Sequence, residues 1–322
     1  MPNHHNPAYL LPEFLESDEA RPIRILAEYF EPLRRFKAQN IQDTVVFFGS
    51  ARVPSMEHAE AALEKLQRRA AKNAQKSGTA NGKSNDTASA KNGKNGKNSK
   101  IGNGKNGKEA AFREAMKRAR RAVDSARFYE DARQLAFLLT KWTLSLDFPH
   151  HRFVVCSGGG PGIMEAANRG AIEADGKSIG LNIHLPFEQG LNKYITEGLG
   201  FDFHYFFMRK FWFAYLAKAL VIFPGGFGTM DEMMEILTLS QTHKLSKRMK
   251  VILYGDAYWQ EVLNFGPMVD WGMISPDDRL LLDHANDPEQ AFEFLRDHLT
   301  QYHLVPETEQ EQKVPGIAKT RK

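Results

Sequence analysis

Short, almost uninterrupted apolar runs alternate along the chain with stretches whose apolar residues recur every three or four positions. The runs at 44–48, 153–156, 178–185, 201–203, 219–223 and 249–255 predict strands. Helical spacing predicts helices at about 56–71, 109–146, 163–174, 205–218, from Met233 onward, 257–265 and 287–300. The long stretch 109–146 buries Tyr129, Ala132, Leu135, Leu138, Leu139 and Trp142 on this reading, with a break expected near 125–127. Ile23, Leu26, Phe30, Leu33 and Phe36 predict a helical arm over 1–40. Strands apolar at every position are buried on both faces, which is the condition of a parallel sheet covered by helices. The expected fold is therefore α/β: a Rossmann-like doubly wound parallel sheet with helices on both faces and an extra N-terminal helical arm. One domain over 41–300 carries it, and 301–322 is expected to be a flexible tail.

One segment breaks the pattern. Residues 73–108 are mostly Asn, Gly, Lys, Ser, Thr and Ala, with the triplet Asn-Gly-Lys starting at 81, 92, 95, 103 and 106. So few large apolar groups cannot offset the entropy of ordering, so this is expected to be a disordered insertion. The open alternatives are a tolerated surface insertion and a tether for nucleic acid or a membrane surface. It also changes how charge is read. Residues 71–108 hold nine lysines and one aspartate, in a chain whose net charge is only +4. The rest of the chain is thus acidic, which removes the composition argument for specific nucleic-acid binding.

With 42% hydrophobic and 25% charged residues the chain has ample material for a core. No apolar run approaches the roughly 20 residues that span a bilayer, and Met-Pro-Asn-His-His lacks a signal-peptide pattern. The single cysteine, Cys156, fits a reducing compartment, so a cytoplasmic protein without membrane partners is expected. A small buried residue is the plainer reading of Cys156, and a nucleophile the sharper one.

Three predicted strands run into glycine-bearing turns: Gly49-Ser50, Gly158 to Gly162, and Gly225-Gly226-Phe227-Gly228-Thr229. Strand, glycine turn, helix is the geometry that aims free backbone N–H groups and aligned peptide dipoles at an anion. In open parallel sheets ligands lie outside the carboxyl ends of the strands, so the three turns are expected to share one nucleotide-sized ligand. Two standard versions of such a seat fail. The dinucleotide fingerprint meets Gly158 and Gly160 but has Ile163 in place of its third glycine. A P-loop at Gly176-Lys177-Ser178 has Ala171 where its first glycine belongs and lies between a helix and a following strand. His204, His243 and His284 are scattered, so no metal site is expected.

Pro224-Gly-Gly-Phe-Gly-Thr-Met-Asp-Glu232 matches Pro-Gly-Gly-x-Gly-Thr-x-x-Glu, with Met208-Arg209-Lys210 on the preceding helix and Ser157-Gly-Gly-Gly-Pro-Gly-Ile-Met-Glu165 upstream. These blocks resemble the Lonely Guy (LOG) family, whose members have often been mislabelled lysine decarboxylases. The resemblance covers about 40–60 and 125–300, and the longer N-terminal part is typical of larger bacterial relatives. It implies hydrolysis of the N-glycosidic bond of a nucleoside 5′-monophosphate, AMP or a cytokinin riboside monophosphate, without cofactor. It also implies at least a homodimer. Carried over, Arg209 and Glu232 are catalytic. Gly225, Gly226, Gly228 and Thr229 hold the phosphate and Lys210 helps line the site; from their places in or beside the other two turns, Gly49, Ser50, Gly159, Gly160 and Glu165 are expected to line the nucleotide as well.

Elementary chemistry agrees with those roles. Breaking a ribosyl C–N bond develops positive charge on the sugar, which a carboxylate at Glu232 stabilises, and Arg209 keeps its proton and can only neutralise. Plainer readings stay open at this point. Thr229-Met-Asp-Glu232 is also a capping box in which Glu232 caps its helix. Asp231 reads as a first-turn dipole partner or a ribose contact. Arg209 and Lys210 could be a solvated helix face, and Phe206, Phe207, Phe211, Trp212 and Phe213 either core or a base-stacking platform. A carrier of a phosphorylated pterin-type cofactor, such as a molybdenum cofactor, is the non-catalytic alternative.

Overall fold

The computed structural model describes residues 6–80, 102–184, 190–245 and 247–304. The chain forms two compact units, one of 1–52 with 128–322 and one of 53–127. In the first, helices α1 (Pro12–Leu15) and α2 (Arg21–Ala38) precede strand β1 (Thr44–Phe48). The second holds α3 (Met56–Ala80) and the opening part of α4 (Gly102–Leu144). There follow β2 (Val154–Ser157), α5 (Ile163–Glu173), β3 (Ser178–Ile183), β4 (Gly200–Phe203) and α6 (Phe206–Leu216). Next come β5 (Ala217–Ile222), α7 (Phe227–Gln241), β6 (Lys250–Tyr254) and α8 (Asp256–Val262). The last elements are α9 (Gly266–Asp270), β7 (Leu282–Ala285) and α10 (Pro288–His303).

Among the described residues the strands form one sheet in the order β4-β3-β2-β1-β5-β6-β7, every neighbouring pair parallel. The chain winds outward from β1 through β2 to β4, then crosses to β5 on the other side of β1 and winds outward again. That reversal makes the gap between β1 and β5 the switch point where such sheets take their ligands. Phe47 is in register with both Ser157 and Val221, so β1, β2 and β5 end at one level.

Both faces are buried because successive side chains point to opposite sides. Val46, Phe48, Cys156 and Leu181 join Phe36, Trp212, Phe213, Met233 and Ile236 from α2, α6 and α7 in one core. The alternate residues Val45, Phe47 and Val155 are equally buried, and α5 and α10 pack on the strands. The expected doubly wound α/β sheet is therefore what the chain forms.

The differences from expectation have local causes. No break occurs at 125–127, where the Ser125 hydroxyl donates to Ala122 O (3.1 Å) and stays within a continuous α4. The predicted helix 56–71 continues to Ala80 and α4 begins at Gly102, so both flanks of the expected disordered segment are helical; propagation of a formed helix is cheap beside its nucleation. Its centre, 81–101, lies outside the described residues, as do Leu185 of the predicted third strand and the tail 305–322. Strand β7 was not expected: it is an outer strand, half polar, with Asp283 paired to Lys250 of β6 (2.6 Å).

The arm packs with only part of the face its spacing suggested. Ile23, Leu26 and Phe30 stay exposed, while Ile25, Tyr29, Leu33 and Phe36 meet the core. Its rotation is set by α6, whose Phe211 and Trp212 rings meet Tyr29 at 5.6 and 5.8 Å. Glu28 fixes the contact. Its carboxylate accepts from the His204 and Tyr205 N–H groups (2.7 and 3.2 Å), and its carbonyl accepts from Trp212 Nε1 (2.9 Å). Removing the buried Trp212 ring by Trp212→Ala is expected to lower unfolding stability by about 3–5 kcal/mol in a urea titration.

Candidate functional site

The three glycine turns meet at the switch point and are tied through their backbones. Ser50 N–H donates to Pro224 O (3.0 Å), and Ile163 N–H donates to Ser50 O (3.2 Å). A Cβ on Gly49 would lie 2.7 Å from the Ile163 side chain, and one on Gly162 would strike Ser50 O, at a φ of +70° that itself favours glycine. The turns after β1, β2 and β5 thus form one close-packed rim. Gly49 and Ser50 spend their backbones on that packing, and the Ser50 hydroxyl accepts from Arg52 N–H (3.1 Å).

The third turn leaves the start of α7 open. Gly226 is its N-cap residue with no side chain capping it, and Met230 N–H is the first to find a helical carbonyl, Gly226 O (3.0 Å). The N–H groups of Phe227, Gly228 and Thr229 precede it at the positive end of a 15-residue helix. A Cβ at Gly226 or Gly228 would meet nothing within 4 Å, whereas one at Gly225 would collide with Thr229. The Tyr258 hydroxyl donates to Gly225 O (2.6 Å) and holds the turn from the α8 side. Open at Gly226 and Gly228 and closely packed at Gly225, the turn leaves the first N–H groups of α7 accessible.

This geometry overturns the capping-box reading. Counting from Gly226, Thr229 is the third helical residue and Glu232 the sixth, so neither is placed to cap the other. Asp231 likewise lies beyond the first turn and is not a dipole partner; its carboxylate binds Lys210 Nζ at 2.9 Å. Lys210 also meets Glu235 at 3.0 Å. Its ammonium, expected to line the nucleotide, is occupied by two carboxylates of α7.

Glu232 is left as the carboxyl of α7 aimed inward, 7% exposed. Burial pushes its pKa up to about 7, and the nearby charges of Arg209 and Lys210 only partly oppose that. Arg209 is half-buried on α6. Its Nε donates to Leu181 O (3.0 Å), its head lies over the Phe213 ring at 5.2 Å, and Nη2 comes within 2.9 Å of where a Gly158 Cβ would stand. Arg209 therefore is not a solvated helix face: β3 and the Gly158 turn hold it, and it lies within electrostatic reach of Glu232 and Cys156. Cys156 itself is fully buried with its thiol pushed up by desolvation, the behaviour of a packing residue. Trp212 and Phe213 are core, whereas Phe206 and Phe207 are about half exposed and Phe227 is 92% exposed beside the open turn.

Glu165, in the first turn of α5, accepts a hydrogen bond from the buried Tyr129 hydroxyl (2.9 Å). Burial and that carboxylate together push the phenol upward. The bond ties Glu165 to α4 and not to the helices that bear Arg209 and Glu232. Beneath Gly159 and Gly160 is a buried polar network absent from the sequence-based expectations. Ser157 Oγ accepts from Gly159 N–H (3.0 Å) and donates to Asn168 Oδ1 (2.7 Å); Asn168 Nδ2 donates to Ser178 Oγ (2.6 Å). Asn168 on an otherwise apolar stripe with Ala166, Ala167 and Ala171 was the available signal. Among the described residues no group of three or more His, Cys, Asp or Glu side chains could hold a metal ion. None of the described helices is long and apolar enough to cross a membrane.

Comparison with known proteins bears on this arrangement. A family model described as "Possible lysine decarboxylase" matches residues 164–295, which include Arg209 and Glu232. A cytokinin riboside 5′-monophosphate phosphoribohydrolase of Arabidopsis thaliana is 31% identical over 91 residues, 28% of this chain and 42% of that protein. The chain resembles the Lonely Guy family. A rice (Oryza sativa subsp. japonica) protein named as a probable cytokinin riboside 5′-monophosphate phosphoribohydrolase is 27% identical over 156 residues, 47% of this chain and 70% of its own. The chain thus spans about two-fifths of the first of these LOG relatives. Among solved structures, a molybdenum cofactor binding protein of Rippkaea orientalis is 21% identical with a TM-score of 0.38, over 53% of this chain and 86% of that one. A Moco carrier protein of Chlamydomonas reinhardtii is 22% identical with a TM-score of 0.36, over 53% and 90%.

The buried carboxyl yields a test independent of function. Because the folded pKa of Glu232, about 7, exceeds its ordinary 4.5, the protonated form stabilises the fold. That contribution is complete below about pH 4.5 and is lost as pH rises through about 7. Glu232→Gln is expected to remove the loss, so its melting temperature relative to wild type should rise across that window and level off above it. A constant difference would show that Glu232 titrates as an exposed carboxyl.

Proposed function

We propose that the chain hydrolyses the N-glycosidic bond of a purine nucleoside 5′-monophosphate, with an adenine-type or cytokinin base, to the free base and ribose 5-phosphate. The observation that carries this reading is a buried Glu232, its pKa pushed up to about 7, near a fixed Arg209 and an open helix start. The LOG relatives named for this chemistry support it.

In this reading the 5′-phosphate binds the N–H groups that open α7, and its binding energy positions the remote C–N bond. As that bond breaks, the electron pair leaves on the base nitrogen and positive charge grows on the ribosyl carbon. Ionised Glu232 stabilises that charge and takes a proton from the attacking water, whose oxygen bonds the ribosyl carbon; the departing base nitrogen is protonated from solvent, and Glu232 then releases its proton to solvent. A carboxyl with pKa near the working pH suits such proton traffic. Arg209 neutralises the phosphate or the charge moving onto the base and takes no part as a base. Lys210, held by Asp231 and Glu235, damps the repulsion those carboxylates exert on Glu232. Gly49, Ser50, Gly159 and Gly160 shape the rim. Glu165 reaches the nucleotide only at the cost of its bond to Tyr129. A homodimer or larger homo-oligomer in a reducing cytoplasm completes the proposal, with no cofactor required.

The deciding experiment incubates the chain with a panel of nucleoside 5′-monophosphates and measures ribose 5-phosphate. Release from at least one purine nucleotide is expected; binding without release from any would make the protein a carrier. Glu232→Gln is expected to lower kcat by about 10²–10⁴-fold. Since the ionised form acts, wild-type kcat/KM should climb with pH through about 7, and this limb should be missing from the variant.

A further inference from the structure

Residues 190–196, between β3 and β4, lie against the glycine turn of β2 in a way that packing alone does not require. Three glycines from neighbouring strands form a floor without side chains beneath them. A Cβ on Gly159 would lie 2.6 Å from Leu191 and 3.2 Å from Ile195, one on Gly200 would lie 2.7 Å from Leu191, and one on Gly180 would collide with Ile195. Gly159 also has a φ of +74°. Thr196 closes the segment onto β3: its N–H donates to Ser178 O (3.1 Å), and its hydroxyl accepts from Ser178 N–H (2.9 Å).

Between the two apolar side chains stands Asn192. Its N–H donates to Gly159 O (2.8 Å). Its Nδ2 donates to Gly159 O (3.0 Å), Gly160 O (3.1 Å) and Asn168 Oδ1 (2.9 Å), while Oδ1 accepts from Tyr194 N–H (3.0 Å). One side chain thus joins the carbonyls of the turn to the buried Ser157–Asn168–Ser178 network. The turn in its own right seats Arg209, whose Nη2 occupies the space a side chain at Gly158 would take.

We infer that Asn192 is a positioning residue for Arg209: by holding the carbonyls of Gly159 and Gly160 it fixes the Gly158 seat on which the guanidinium rests. The role builds on the proposed hydrolase reading, and Asn192 itself touches no reacting atom. A misplacement of about 1 Å in a catalytic group can cost about a hundredfold in rate.

Asn192→Asp keeps the volume and the acceptor for Tyr194 but turns the donor into a carboxylate facing three oxygens; Asn192→Ala removes the side chain. Leu191→Ala is the control that loses packing on the floor and leaves the hydrogen bonds. For the full-length N192D protein, kcat on the best nucleotide of the panel is expected to fall about a hundredfold while KM moves far less. Amide exchange should show lost protection at Gly159, whose N–H bonds Ser157 Oγ. Leu191→Ala should lose as much melting temperature or more and keep the wild-type kcat. Wild-type kcat in N192D, or loss of kcat in step with melting temperature across all three variants, would overturn the inference. If the wild-type chain itself releases no ribose 5-phosphate, the hydrolase reading fails separately, and unchanged exchange at Gly159 in N192D would then overturn the role of Asn192.

Discussion

The site rests on the close approach of three backbone turns at the carboxyl ends of β1, β2 and β5. Gly49 and Gly162 have no space for a Cβ, and the Ser50 peptide bonds to Pro224 on one side and Ile163 on the other. A parallel sheet brings strand ends to one level, but it does not bring turns into contact. Contact requires residues without side chains, because a single methyl group at either position would push the rims apart. Once joined, the turns leave the N-terminus of α7 as an open surface of the rim, where the helix dipole favours negative charge.

Against that frame the charged groups divide into two kinds. Lys210, Asp231 and Glu235 satisfy one another at the edge of α6 and α7. Glu232 and Arg209 do not reach such a balance. Desolvation moves the carboxyl toward its neutral form and works against the charge on the guanidinium. A protein gains no stability by keeping an acid so far from its preferred state, and perturbed groups of this kind cluster at functional sites.

Much of this was legible from the order of residues. Strands buried on both faces have no alternation to conceal, so Val45 to Phe48 and Ala219 to Ile222 stand out as apolar runs, while Ala217 and Lys218 at the start of β5 read as the end of the preceding helix. Glycines at strand ends have a physical meaning that survives without knowing their neighbours. Legibility failed where a residue's role depends on a distant partner. The arm turned its Tyr29 face inward because α6 supplied Phe211 and Trp212. Thr229 and Glu232 fit a capping box by spacing alone, and only the position of Gly226 as the N-cap residue rules it out. Lys210 is taken up by Asp231 and Glu235, carboxylates 21 and 25 positions further along the chain. Outer strand β7 is short and half polar, so nothing in its composition separates it from a loop.

The Glu28 contact gives the arm a meaning beyond packing. Its carboxylate grips the His204 and Tyr205 peptides that lead into α6, and Arg209 lies one helical turn further on. The azimuth of the arginine around its helix axis is thus set from outside the strand–helix repeat, by a segment that precedes the first strand. In a chimera that grafted this sheet onto a foreign N-terminal helix, the guanidinium would keep its bond to Leu181 but lose the contact that fixes the entry to its own helix.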